Sequence, residues 1–154
     1  MKLLIKIIND NLLNAKCNLI VHQVNCKGVM ASGIAKEIRN NYPIVYQEYI
    51  SFLKRNKRVE YLGKIQVVPV NKYRSVVNFY SQYNYGRVNG MIYTNYAAFK
   101  LCLKRIRKYM LDNSFKEIAF PYNIGCGLGG GDWSIISEMI ADILKEFTIY
   151  FYKI

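Results

Sequence analysis

A seven-residue window, Gly125–Gly131, holds half of the ten glycines in this 154-residue chain. The window follows a short apolar run that ends at Ile124 and precedes a helical pattern that begins near Asp132. Glycines permit backbone conformations that other residues avoid and let a ligand approach main-chain N–H groups. A helix that begins beside them adds unpaired donors and a dipole that favours anions. The window therefore predicts a phosphate-binding loop, although it matches neither a P-loop nor a GxGxxG fingerprint.

A second loop of small residues lies near the amino terminus. Residues 21–35 run from a strand pattern through Asn25 and Gly28 into a helical pattern that begins near Ser32. If both loops follow neighbouring strands of one sheet, they form the two sides of a cleft, where open α/β sheets bind ligands. Two helix amino termini at one cleft suit a diphosphate better than a single phosphate. Asn25 is a candidate for a hydrogen bond to a sugar hydroxyl, and a turn-forming asparagine is the alternative.

Hydrophobic periodicity predicts strands that alternate with helices along the whole chain. The predicted strands are 2–8, 18–24, 64–70, 75–80, 117–120 and 147–152, and the predicted helices are 32–40, 44–53, 93–111 and 134–146. Thr94 is the predicted cap of the longest helix. This alternation implies an α/β domain with a parallel or mixed sheet covered on both faces. No linker or repeat interrupts the pattern, so we expect a single domain over residues 1–154.

Composition limits the expected cellular compartment and the kinds of partner that the chain binds. No apolar run reaches the roughly 18 residues of a membrane span, so we expect no membrane association. The four cysteines form no CxxC pair and there is one histidine, which favours free thiols in a reducing cytoplasm and no metal site. The net charge of +12 favours anionic partners such as phosphorylated metabolites or nucleic acid. The basic cluster 104–108 is expected to be a solvated helix face, with a nucleic-acid contact as the alternative.

Two motifs in this chain resemble the ligand loops of macrodomains. The first loop of that family is similar to His22-Gln23-Val24-Asn25-Cys26 together with Met30-Ala31-Ser32-Gly33-Ile34-Ala35. The second is similar to Ile124-Gly125-Cys126-Gly127-Leu128-Gly129-Gly130-Gly131-Asp132-Trp133. The resemblance spans nearly the whole chain and is greatest to the small stand-alone branch, which contains ADP-ribose-1″-phosphate phosphatases, terminal ADP-ribose glycohydrolases and phage-encoded relatives. It implies a three-layer α/β/α macrodomain with a central mixed sheet that binds ADP-ribose.

The resemblance also implies a set of site residues. Asp10-Asn11 stands where the family carries Gly-Asp, whose aspartate binds the adenine amine, and Asn25 would contact the distal ribose. The ligand-binding residues implied in this way are Asp10, Asn11, Gly28, Ser32, Gly33, Ile34, Gln82, Tyr83, Ile124, Gly125, Cys126, Gly127, Leu128, Gly129, Gly130 and Gly131. The candidate catalytic residues are Asp132, Asn25 and His22. For His22 the favoured alternative is a buried core histidine, and for Asp132 the alternative is an ordinary helix cap.

Two departures from the family bear on catalysis. Family members of the glycohydrolase type use a lysine after the fourth strand and an aspartate after the Gly-Cys-Gly-Leu run, where this chain has Gln82 and Gly129. It therefore lacks a lysine nucleophile, and Asp132 remains as the group to activate water. We expect a cofactor-free hydrolase of an ADP-ribose derivative, with ADP-ribose-1″-phosphate as the first substrate. The alternatives are a non-catalytic reader of free or macromolecule-linked ADP-ribose and an ADP-ribosyl hydrolase acting on protein or nucleic acid.

Overall fold

A computed structural model describes residues 4–55 and 60–154. The strands are β1 Leu4–Ile8, β2 Leu19–Asn25, β3 Ile65–Pro69, β4 Ser75–Gln82, β5 Glu117–Pro121 and β6 Thr148–Tyr152. The α-helices are α1 Gly33–Asn41, α2 Pro43–Arg55, α3 Tyr96–Asp112 and α4 Trp133–Ile143, and a 3₁₀ helix spans Leu12–Asn14. These elements match the predicted order. Residues 2–3 of the first predicted strand lie outside the described residues.

The strands form one mixed sheet in the order β1-β6-β5-β2-β4-β3. All neighbouring pairs are parallel except β3 and β4, which are antiparallel at one end of the sheet. The carboxyl ends of β5, β2 and β4 therefore lie side by side at the same edge. Loops 26–32, 83–95 and 122–132, here called the carboxyl-edge loops, start from that edge. The order of the strands thus brings the two loops expected to bind a ligand next to each other.

Helices cover both faces of the sheet. Side chains that alternate along β2 point in opposite directions, so Val21 belongs to one buried cluster and Ile20 to the other. The Val21 cluster packs α3 and α4 against the sheet, and the Ile20 cluster packs α1 and α2 against it. The predicted three-layer α/β/α architecture is confirmed. No helix in the described ranges is long and apolar enough to cross a membrane.

Two predicted helix boundaries are wrong. α3 begins at Tyr96, and its cap is Asn95, whose side-chain oxygen accepts from the N–H of Ala98 at 2.9 Å. Thr94 is not the cap, because its hydroxyl donates to a loop carbonyl instead. α4 ends at Ile143 rather than at residue 146. The chain turns there, with the N–H of Phe147 donating to the carbonyl of Leu144, so that it can enter β6.

A row of buried polar side chains crosses three strands on the face covered by α1 and α2. His22 on β2 lies beside Asn78 on β4, and Asn78 lies beside Gln66 on β3. His22 Nε2 is 2.5 Å from Asn78 Oδ1, and Gln66 Oε1 accepts from Asn78 Nδ2 at 3.0 Å and from the Tyr80 hydroxyl at 2.8 Å. His22 Nδ1 has no hydrogen-bond partner among the described residues. Burial therefore lowers the pKa of His22 to about 4, and the ring is neutral at pH 7.

Protonation of His22 should destabilise the fold as the pH falls. Its folded pKa, about 4, lies below its ordinary value of 6.5, so the unfolded chain takes up the proton first. The stabilisation is complete above pH 6.5 and is lost towards pH 4, and it decreases by about 2 kcal/mol by about pH 5. We expect the variant His22→Gln to lose that much less stability than the parent between about pH 7.5 and about pH 5 in urea unfolding. Equal losses in parent and variant would contradict the assignment.

Candidate functional site

The glycine-rich loop presents a row of unpaired backbone donors. Gly125 and Gly130 adopt left-handed conformations, with φ of +74° and +73°. The loop closes on itself because the N–H of Gly131 donates to the carbonyl of Gly125 at 2.9 Å, and that of Gly130 donates to Gly127 at 3.0 Å. The N–H groups of Gly125, Gly127, Leu128 and Gly129 have no acceptor within the described part of the chain. Consecutive unpaired N–H groups in such a loop form a concave anion site.

Side chains from β2, β4 and loop 83–95 hold this loop in place. The Thr94 hydroxyl donates to the Gly125 carbonyl at 2.6 Å, and Gln23 Nε2 donates to Thr94 Oγ1 at 3.0 Å. Gln23 Nε2 also donates to Gln82 Oε1 at 2.9 Å, and Gln23 Oε1 accepts from the Ser81 hydroxyl at 2.7 Å. The N–H groups of residues 93 and 94 donate to the Gly129 carbonyl at 2.7 and 3.0 Å. The loop is therefore fixed by its surroundings.

Asn25, at the carboxyl end of β2, organises the first loop. Its Oδ1 accepts from the N–H of Lys27 at 3.0 Å and from that of Val29 at 3.3 Å, and its Nδ2 donates to the Val29 carbonyl at 2.8 Å. The buried Tyr49 hydroxyl lies 2.6 Å from the Asn25 carbonyl oxygen and accepts from the N–H of Gly28 at 3.1 Å. These contacts support the turn-forming alternative for Asn25. Direct contact between Asn25 and a ribose stays a prediction.

The amino terminus of α1 is the second group of unpaired donors. Ser32 occupies the cap position in an extended conformation, but its side chain makes no capping hydrogen bond. No described group accepts from the N–H of Gly33, Ile34 or Ala35. Gly33 has a φ of +60°, and no atom lies within 4 Å of a Cβ built on it. This helix start is open to a ligand that brings its own acceptors.

Tyr83 connects loop 83–95 to loop 26–32. Its carbonyl accepts from the N–H of Cys26 at 3.0 Å, and Lys27 Nζ lies 4.4 Å from the centre of its ring. Tyr83 as a whole is 53% exposed. Together with the bonds from loop 83–95 to Gly129, this contact joins the three carboxyl-edge loops into one hydrogen-bonded unit.

Asp132 is the helix cap that the sequence left as one of two alternatives. Its Oδ1 accepts from the N–H of Ser134 at 2.9 Å and from the Ser134 hydroxyl at 2.7 Å. Its own N–H donates to the Tyr96 hydroxyl at 2.9 Å. The hydrogen bonds from Ser134 lower the pKa of this exposed carboxyl, so it is ionised at neutral pH. A capping role does not prevent a carboxylate from accepting a proton from water.

The thiol of Cys126 is mostly protonated at neutral pH. It is partly buried in the glycine-rich loop, and its Sγ lies 3.3 Å from the Ile124 carbonyl. Burial and the nearby Asp132 charge raise the pKa of Cys126 to about 11. The thiolate that nucleophilic chemistry requires is therefore scarce. Burial raises the pKa of Cys26 to about 11 as well.

Asp10 and Asn11 lie at the same edge of the sheet, after β1. Asp10 Oδ1 accepts from the N–H of Asn11 at 2.7 Å and from Asn14 Nδ2 at 2.9 Å, and these bonds lower the pKa of the exposed Asp10 carboxyl. Asn11 Oδ1 accepts from the N–H of Leu13 and caps the 3₁₀ helix. Asn11 is therefore committed to the local turn, which leaves the exposed Asp10 as the better candidate for an adenine contact.

The structure contradicts a catalytic role for His22. The side chain is completely buried between the sheet and the helices α1 and α2. It points away from the face on which Gln23 contacts the glycine-rich loop, because successive residues of a strand point to opposite faces. A ligand at the carboxyl-edge loops cannot reach it. The core-histidine alternative is the one that the structure supports.

Three positioning residues were missed by sequence reasoning, namely Gln23, Ser81 and Tyr49. Each carries a polar group on β2, β4 or α2, but those elements hold other polar residues too, so polarity alone does not single them out. Their partners come from other elements, so the pattern of a single element does not reveal them. Within the described residues, no group of three histidine, cysteine or acidic side chains is placed to hold a metal ion.

Comparison with known proteins identifies a family. The Macro domain family matches residues 21–140. Among curated proteins, the chain is 27% identical over 145 residues to a DNA ADP-ribosyl glycohydrolase of Thermus aquaticus and 26% identical over 141 residues to one of Mycobacterium tuberculosis. These alignments cover 92% and 90% of this chain. The chain spans only 38% of the length of either relative.

Solved structures share the fold. A Bacteroides thetaiotaomicron protein described as of unknown function superposes with a TM-score of 0.87 at 23% identity, over 99% of both chains. The macrodomain of Mycobacterium tuberculosis DarG gives 0.83 at 24% identity, over 97% of both chains. Thermosipho africanus DarTG in complex with ADP-ribose gives 0.81 at 21% identity, over 98% of this chain and 42% of that one. At these identities the likeness demonstrates the fold alone.

Two glycines of the loop provide a matched test of its packing. A Cβ on Gly129 would lie 2.5 Å from Thr94 Oγ1 and 2.7 Å from the Gly125 carbonyl oxygen, whereas a Cβ on Gly127 meets nothing within 4 Å. We expect Gly129→Ala to destabilise the protein by about 1–3 kcal/mol, because the added methyl group forces the loop apart. Gly127→Ala should cost about 1 kcal/mol or less. Urea unfolding measures the free energy of unfolding of the two variants. Equal losses in the two variants would show that the contacts from Thr94 and loop 83–95 do not hold the glycine-rich loop.

Proposed function

Because the chain belongs to the Macro domain family, we propose that its carboxyl-edge loops bind ADP-ribose. The observation that carries this proposal is the presence of two sets of unpaired N–H groups on adjacent loops, one at Gly125, Gly127, Leu128 and Gly129 and the other at the start of α1. Backbone donors and a helix dipole fit the oxygens of a diphosphate. The diphosphate lies between these two sets, with the glycine-rich loop on one side and residues 32–34 on the other.

The order of the strands supports a position for the adenine and for the distal ribose of the ligand. β1 lies three positions from β2 in the sheet, about 14 Å at the usual spacing of neighbouring strands. In this proposal Asp10 at the end of β1 contacts the adenine of an extended ligand, and Tyr83 and the Asn25 loop contact the distal ribose. The exposed ring of Tyr83 gives that ribose an apolar surface. The direction of the ligand, from β1 towards β4, is part of the proposal.

We further propose that the bound ligand is hydrolysed without a covalent enzyme intermediate. Gln82 and Gly129 stand where glycohydrolases of the family have lysine and aspartate, so no side chain there forms a bond to the sugar. In the proposed reaction, water attacks the phosphorus of ADP-ribose-1″-phosphate and gives a proton to the ionised Asp132 carboxylate. The bond from phosphorus to the 1″ oxygen breaks, and that oxygen leaves with the bonding electrons and takes up a proton.

A second candidate is the removal of ADP-ribose from nucleic acid. The similarity to the DNA ADP-ribosyl glycohydrolases, which extends over 90–92% of this chain, favours it. The net charge of +12 is compatible with a polyanionic substrate. Against it stands the missing lysine at Gln82. A reader that binds ADP-ribose without turnover is the remaining alternative, and the same experiment distinguishes all three.

Phosphorus NMR tests the proposal directly. ADP-ribose-1″-phosphate incubated with the protein should release inorganic phosphate at a rate proportional to the protein concentration. Perturbed diphosphate resonances without release would leave a reader. Release of ADP-ribose from an ADP-ribosylated oligonucleotide, with ADP-ribose-1″-phosphate left intact, would select the second candidate. Resonances that the protein leaves unperturbed in every sample would refute ADP-ribose binding.

Replacing one carboxylate tests the role of Asp132. Asparagine caps helices as well as aspartate does, so Asp132→Asn preserves the start of α4 and removes the proton acceptor. We expect the rate of phosphate release to fall by a factor of at least about 10², the usual contribution of a general base, while ADP-ribose affinity changes little. Asp142→Asn, an exposed carboxylate on the same helix, is the matched control and should have the activity of the parent. Undiminished release in Asp132→Asn would exclude the residue from the reaction.

A further inference from the structure

The outward face of α3 is unusually rich in positive charge. It carries Lys100, Lys104, Arg105, Arg107 and Lys108, all exposed, against a single acidic residue, Asp112. Lys100, Lys104 and Lys108 follow one another at four-residue steps and therefore lie on one side of the helix. Like charges at this spacing repel and destabilise a helix. Solvated helix faces normally avoid this cost by placing acidic residues between the basic ones.

Intramolecular ion pairs neutralise only part of this charge. Arg107 is paired with Glu146, and Lys108 lies 2.6 Å from Asp112. The described ranges contain no salt bridge to Lys100, Lys104 or Arg105. Arg105 is held in place by a 2.7 Å hydrogen bond to the Gly63 carbonyl, which leaves its charge without an acidic partner.

A surface depression of about 440 Å³ adjoins this face, and none of its lining residues belongs to the carboxyl-edge loops. It is lined by Phe52, Lys64, Ile65, Arg105, Lys108, Tyr109 and Asp112. Lys64 at the start of β3 therefore adds a cation from a second element, and the described residues give it no ion pair. Phe52 and Tyr109 also line the depression; the Phe52 ring packs against Tyr61 and Tyr80, and the Tyr109 ring stacks against Phe115. The depression joins positive charge to aromatic surface.

We propose that this depression and the basic face of α3 together bind single-stranded nucleic acid. Lysine and arginine side chains form ion pairs with the phosphates, and an unpaired base packs against the aromatic wall at Tyr109. A duplex keeps its bases stacked and cannot use the aromatic wall. A membrane surface is a poorer fit, because the apolar side of α3 is buried against the sheet and the helix presents mainly cations outward. The surface is separate from the proposed ADP-ribose site and does not depend on it.

The amino terminus of α3 lies close to the carboxyl-edge loops, so a polymer bound along the helix can reach them. The helix begins at Tyr96, two residues after Thr94, which holds the glycine-rich loop. A single-stranded nucleic acid bound along α3 therefore extends towards the carboxyl-edge loops. An ADP-ribose group attached to that strand could enter those loops while the strand stays bound at α3. The surface would then supply affinity for the polymer that the loops cannot.

Fluorescence anisotropy with a labelled oligo(dT), without any ADP-ribose, tests the proposal. Each phosphate contact to a single strand contributes about 0.7 to the slope of log K against log salt, so the four cations without an ion pair in the described ranges, Lys64, Lys100, Lys104 and Arg105, predict a slope of about −3. The double variant Lys64→Gln/Lys104→Gln should reduce the magnitude of the slope by about 1.4. At low salt its affinity should be at least about tenfold weaker.

The control variant carries the same change of net charge at the other end of the sheet. Lys6 lies on the edge strand β1 and Lys16 lies beyond the 3₁₀ helix, and both are exposed. Lys6→Gln/Lys16→Gln should bind oligo(dT) as the parent does. A loss equal to that of the test variant, or no binding by the parent at low salt, would overturn the proposal. Unchanged thermal unfolding of both variants shows that folding is not the cause.

Competitors separate this site from the alternatives. Saturating ADP-ribose should leave oligo(dT) bound, and displacement would place the strand in the carboxyl-edge loops and refute a separate surface. Duplex DNA that binds as tightly as oligo(dT), or phosphatidylserine vesicles that bind through Lys64 and Lys104, would also refute it. Failure of ADP-ribose to bind would defeat the proposed function while the oligo(dT) result stood. The two proposals therefore fail independently.

Discussion

The carboxamide of Gln23 is the contact on which the candidate site depends. Its oxygen accepts from Ser81, and its nitrogen donates to Gln82 and Thr94, so one side chain ties β2 to β4 and to the loop before α3. Thr94 passes this constraint to the glycine-rich loop through the Gly125 carbonyl. Glycines alone would leave the loop mobile, and its N–H groups would lose entropy on binding an anion. Bracing from outside removes most of that cost in advance.

The same bracing limits the chemistry that the loop can perform. The space in which a side chain on residue 129 would start is already filled by Thr94 Oγ1 and the Gly125 carbonyl. Gln82, at the other departure from the glycohydrolase pattern, has its Oε1 engaged by Gln23. Gln82 and Gly129 therefore both belong to one hydrogen-bonded network.

Prediction from sequence succeeded where the signal is local. The glycine-rich window, the order of strands and helices and the three-layer architecture all follow from short patterns in the chain, and the structure confirms the architecture. Prediction from sequence failed, or left two alternatives open, where the hydrogen-bond partner of a side chain lies on a distant element. Thr94 looks like a helix cap until Gly125 is placed beside it, and His22 looks available until Asn78 and two helices cover it. Asn25 is a similar case, since Tyr49 lies on a helix 24 residues away.

The sequence by itself determined the class of fold, the family and the positions of the two small-residue loops that lead into helices, because hydrophobic periodicity and glycine clustering act through neighbouring residues. Only the tertiary structure decided which polar side chains support those loops and which are buried. It also decided that three cations of α3 lack acidic partners and that Lys64 and two aromatic rings lie beside them. The physical reason is that hydrogen bonds and ion pairs depend on distances of a few ångströms. The register of the sheet sets those distances between residues that are far apart in the chain.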